Sequence, residues 1–130
     1  MMTKHEHINY WLTTADHDLE SAFDIFNVGR YDWALFVAHL ALEKMLKALW
    51  VKNNESNIPP RIHNLVTLAQ RARLDVSADE AVFLGEVTTF NIEARYPEQK
   101  FTFYKLATRE FTEKKLHQIK DTYECIRQRI

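Results

Sequence analysis

Residues 33–50 read WALFVAHLALEKMLKALW. Apolar side chains fall almost all round a helical wheel in the first half, Trp33 to Leu42. A helix of that kind is buried on several sides, so it belongs at the centre of a helical domain. The run is shorter than the ~20 apolar residues a membrane span needs, and His39 interrupts it. One narrow stripe is polar. His39, Glu43 and Lys47 recur every four residues and stack on one face, with Lys44 at its edge. The simpler reading is an i,i+4 Glu43–Lys47 pair on a solvated strip, contributing about 0.3 kcal/mol. The alternative is a polar groove that opens toward a ligand or partner.

The helix on the N-terminal side spans about Lys4 to Val28. Ile8, Trp11, Leu12, Ala15, Leu19, Ala22, Phe23 and Phe26 share one of its faces, and Gly29 is placed to stop it. Asp32 is the expected N-cap of the central helix, which ends near Asn53. Pro59-Pro60 forces a loop. A short helix over about 64–73 turns Leu65, Leu68 and Ala69 inward. Ser77 and Glu80 form the S-x-x-E capping box of a helix that reaches about Asn91. Residues 92–107, which hold ARYPEQKFTFY, read as a long connection. Thr108 caps the last helix, with Leu116, Ile119, Tyr123, Ile126 and Ile130 as its seam. The expected fold is all-α: one domain over residues 1–130, an up-and-down bundle of four to five helices.

Composition agrees. The chain has 130 residues, only two Gly and three Pro, and a net charge of −1. That balance excludes a polycation built for nucleic acid. Residues 1–32 carry two basic against six acidic side chains, and residues 99–130 eight against four. The simplest consequence is that the first and last helices attract each other. The single Cys125 forms no internal disulfide, which fits a cytoplasmic location. The start, MMTKHEHINY, has no apolar signal core. No Gly-rich phosphate loop and no H-E-x-x-H occurs, and His5 and His7 fit a solvated end better than a metal site. No cofactor is expected.

ARYP, residues 94–97, admits two readings. Pro97 disfavours helix at Tyr96, and Arg95 suits the negative end of a helix dipole, so the stretch works as helix punctuation. It also joins a donor fork suited to phosphate with a ring on which a base can stack.

FVAHLALEKMLKALW, IHNLVTLA and LGEVTTFNIEARYPEQ together resemble the HEPN domain family. Ala41, Glu43, Lys44, Leu46, Lys47, Ala48 and Leu49 match its helix-two pattern, and His63 and Leu65 match its His-x-Leu. The resemblance implies a homodimeric helical bundle, often paired with a minimal nucleotidyltransferase in a toxin–antitoxin-like system. Many members cleave RNA through Arg-x4–6-His. Here no histidine follows Arg95 at that spacing, and Lys100 stands where one would fall. A lysine is protonated at neutral pH and is a poor general base. The sequence therefore resembles an RYP-type branch of the family, which implies binding more than catalysis. The expected ligand-binding residues are Arg95, Tyr96 and Lys100, with His39, Glu43, Lys44 and Lys47 lining the same groove. The expected ligands are a nucleotide or RNA, or a nucleotidyltransferase partner protein. A ribonuclease that uses His39 as base is the competing expectation.

Overall fold

The computed structural model describes residues 1–93 and 97–130, with the backbone alone at 92, 93, 97 and 99. The described residues form six helices and no strand: α1 (Lys4–Asn27), α2 (Tyr31–Asn53), α3 (Leu65–Arg71), α4 (Ala78–Glu93), α5 (Pro97–Leu106) and α6 (Arg109–Arg127).

α2 is the central helix and touches each of the others. Leu35, Leu42, Met45, Leu46 and Leu49 along it are buried, and α1 is its main neighbour. The two run antiparallel. Lys4, in the first turn of α1, donates to the carbonyls of Val51 and Asn54 at the far end of α2 (2.8 and 2.7 Å). The reversal between them is made at Gly29, whose φ of +85° is costly for any residue with a Cβ.

The caps expected at Ser77 and Thr108 form, two more appear at Thr3 and Asn64, and the one expected at Asp32 shifts. Thr3 and Glu6 close a capping box on α1, and Ser77 and Glu80 close the one expected on α4. Asn64 caps α3 and Thr108 caps α6. α2 starts earlier than expected: its N-cap is Arg30, which makes no side-chain cap bond. The turn at Gly29 is complete sooner than an Asp32 cap requires. Asp32 instead lies in the first turn, where its carboxylate complements the helix dipole.

The larger correction is α5. Residues 97–106 are helical rather than connecting chain. Proline is tolerated at the first position of a helix, where its missing N–H has no intrahelical acceptor to lose, so Pro97 is able to begin α5. Phe103 anchors it, 2% exposed and 5.4 Å from the Phe90 ring of α4.

α1 and α6 do attract. Arg127 holds the Asp16 carboxylate with two bonds of 3.1 and 2.8 Å, and the Tyr123 hydroxyl donates to the same carboxylate. Burial, reinforced by that carboxylate, pushes the Tyr123 hydroxyl far above its ordinary pKa.

Candidate functional site

The polar stripe of α2 is internal, not solvated. His39 is fully buried and Glu43 is 5% exposed. Two distant segments cover them. α1 lays the Trp11 ring against Lys47, with Nζ 5.4 Å from its centroid. The loop before α3 brings His63 over the stripe, because Thr88 Oγ1 accepts from Leu65 N–H (3.0 Å) and ties the start of α3 to α4.

Glu43 is the hub. Oε1 lies 2.8 Å from His63 Nδ1 and Oε2 lies 3.2 Å from Lys47 Nζ. A carboxylate this deep requires such partners, since taking its charge out of water is costly. When His63 is neutral, a proton on Nδ1 serves Glu43 and leaves Nε2 as an acceptor, on a side chain that is 49% exposed. His39 lies beneath. Its Nε2 is 3.5 Å from the His63 carbonyl, and Nδ1 has no partner among the described residues. Burial lowers the pKa of His39, with Glu43 acting in the opposite direction, so the ring is neutral at pH 7.

The other expected residues lie elsewhere. Lys44 Nζ is 2.6 Å from Asp18 Oδ2 on α1, an ion pair by distance whose angles do not suit a hydrogen bond. Lys100 is exposed, with Nζ 5.5 Å from the Trp33 ring centroid. Trp33 precedes Glu43 by ten residues, about 15 Å along the helix axis. Lys100 therefore stands at the opening of α2, away from the Glu43 hub. Arg95 and Tyr96 lie outside the described residues. His63 was not among the expected site residues. Its signal was the His-x-Leu that follows the proline loop, but nothing local to it points to Glu43, twenty positions away.

The family model for the HEPN domain matches residues 8–129. The chain belongs to the HEPN domain family. The HEPN chain is also similar in fold to TT1696 from Thermus thermophilus, a crystal structure that superposes with a TM-score of 0.80 at 23% identity. That match covers 95% of this chain and 98% of the other. No curated protein matches. Among the described residues no helix is long and apolar enough to cross a membrane, and no His, Cys, Asp and Glu side chains group to hold a metal ion.

Proposed function

We propose that this HEPN chain is a non-catalytic binding module. It forms a homodimer in the cytoplasm and recognises a nucleotide or RNA end beside a nucleotidyltransferase partner, in a toxin–antitoxin-like pair. The burial of His39 supports this reading most directly. A general base must come within hydrogen-bond reach of the proton it removes, or within one water of it. A fully buried imidazole beneath the His63 backbone does not reach a ribose hydroxyl. The basic and aromatic residues Arg95, Tyr96 and Lys100 then serve to hold phosphate and base.

One observation favours a second reading, a metal-independent ribonuclease. His63 has a carboxylate on Nδ1 and a half-exposed ring, the arrangement that prepares Nε2 to take a proton. RNA cleavage without metal separates the two, measured on the parent, Arg95→Ala and His63→Ala. The binding module predicts no cleavage by any of them, and RNA or nucleotide affinity that falls in Arg95→Ala. Cleavage by the parent that both substitutions abolish establishes the ribonuclease and removes the module reading.

A further inference from the structure

A cleft of about 740 Å³ opens where the α1–α2 turn, the first turn of α2 and the α5–α6 junction meet. Arg30 and Lys105 stand on its walls, beside the Trp33 and Tyr104 rings. We infer that this end of the bundle docks on an anionic lipid surface. A headgroup phosphate lies between Arg30 and Lys105, and the open rings around the cleft enter the headgroup layer. Among the described residues no helix is long and apolar enough to cross a bilayer, so the contact is made at its surface.

The first argument is the outer face of α5. Phe103 is buried, whereas Lys100, Phe101, Tyr104 and Lys105 are exposed. Their spacing by three and four puts two rings and two lysines on one open face. A helix gains nothing in water by turning rings outward. At a bilayer boundary the rings sit at headgroup depth, and each lysine lays its stem on apolar surface while its ammonium stays in water. Lys105 Nζ is 4.4 Å from the Phe101 centroid, and Lys100 Nζ 5.5 Å from that of Trp33, so rings and cations share one level. Val28, 73% exposed, extends the apolar surface along the α1–α2 turn, in a hollow that adjoins the cleft.

The second argument is charge. Lys44, Lys47, Lys115 and Arg127 each pair with a carboxylate. Among the described residues no carboxylate lies within ion-pair distance of Arg30, Lys100, Lys105 or Arg109, and Arg109 lines the same hollow as Val28. Cations left free beside an anionic leaflet are each attracted to it. Asp32, on the cleft wall, subtracts from that attraction. A twofold contact with a second copy fits less well, because it sets a patch against itself and brings these cations toward their own copies. A peptide groove keeps its apolar side chains in its walls. Here Val28, Phe101 and Tyr104 protrude, and a fluid layer admits them without a complementary shape.

The inference goes beyond the binding-module reading and does not depend on it. The test is co-sedimentation of the full chain, at low salt, with vesicles of phosphatidylcholine alone or with a quarter of phosphatidylglycerol. It is run on the parent, Arg30→Ala/Lys105→Ala, Phe101→Ser/Leu106→Ser, and Arg61→Ala/Arg71→Ala, each checked for helicity. The last removes two exposed cations from the segments that follow α2. The parent is expected to partition at least about tenfold more strongly onto the anionic vesicles. The first two variants should each lose at least about tenfold there, and the third less than about twofold. No preference for anionic vesicles overturns the inference, as does an equal loss in all three variants, which makes the attraction diffuse. A parent that ignores vesicles and binds soluble polyglutamate through Arg30 and Lys105 makes this the docking surface of an acidic protein segment instead. Light scattering adds one more way to fail: a dimer that Phe101→Ser/Leu106→Ser breaks and anionic vesicles leave intact makes this face a subunit interface.

Discussion

The middle and the start of α2 treat polar side chains in opposite ways. In the middle, Glu43, Lys47, His63 and His39 are drawn into one cluster, and Glu43 engages both carboxylate oxygens with neighbours within the chain. At the start, Arg30 is without a described carboxylate partner and Trp33 is half open. A charge already matched inside a protein has little left to offer a ligand. An unmatched charge in a cleft with open rings has most of its interaction still to make. The same helix therefore carries a polar centre that supports the fold and a polar end available for recognition.

The strongest way to break this contrast is Glu43→Ala. It leaves the half-buried Lys47 beside the Trp11 ring with no carboxylate and removes the acceptor of His63. Removing one partner of a buried pair is far costlier than losing an exposed one, so a loss of about 3 kcal/mol is expected in urea unfolding. In a chain of this size that lowers the thermal midpoint by roughly 10 °C. A loss below about 1 kcal/mol would mean the cluster is wetter than its burial indicates, and that Glu43 is free to serve a ligand.

His39 gives the next largest effect, through pH. Its folded pKa is depressed below its ordinary value of 6.5, chiefly by burial. As pH falls through 6.5 the unfolded chain takes up a proton that the folded chain refuses, so stability falls with pH, by at most about 1.4 kcal/mol per unit. Glu43 beside the ring reduces the effect, and Lys47 and the His63 ring add to it. His39→Leu removes both the titration and the unpartnered Nδ1. Urea unfolding at pH 7.5 and 5.5 should show a smaller drop for the variant than for the parent. Equal drops would place the pH sensitivity on other groups.

The contrast within α2 also explains what sequence pattern conveys and what it does not. Spacing by four identified the Glu43–Lys47 contact, because both ends lie on one helix. It gave no measure of depth, because the cover comes from Trp11 and His63, on segments far along the chain. α1 and α6 were read within a few residues because each buries a regular stripe, and α2 because it is apolar almost all round. α5 was missed for the converse reason. Among its described side chains only Phe103 is buried, so it carries no period for pattern to detect, and Pro97 read as a stop rather than a start. The HEPN motifs pointed to Arg95 and its neighbours. The cleft at Arg30 and Lys105 has no motif, since its two cations are brought together by the bundle from distant parts of the sequence.

Lys44→Ala comes third, at about 0.5 kcal/mol. The ion pair with Asp18 joins α1 to α2, but its side chains are 29% and 17% exposed and its geometry is not that of an aligned hydrogen bond. Measured against Lys47→Ala, which takes one of two partners from a buried carboxylate, it tests whether depth or mere pairing sets the value of a charge on this helix. Similar losses for the two lysines would make pairing the deciding factor.

The smallest effect is expected at the cleft, and its smallness is the point. Arg30 and Lys105 make no described ion pair, so Arg30→Ala/Lys105→Ala should change the unfolding free energy by less than about 0.5 kcal/mol. Relieving the repulsion between neighbouring cations makes a slight gain as plausible in sign as a slight loss. A group retained for the fold is expensive to remove whether or not ligand is present. A group retained for an anionic surface costs nothing in the free protein and acts only on contact. Sedimentation with anionic vesicles should therefore separate the parent from the double variant, while their thermal midpoints coincide in plain buffer. A double variant that melts well below the parent in plain buffer would move Arg30 and Lys105 into the same class as Glu43, as parts of the scaffold.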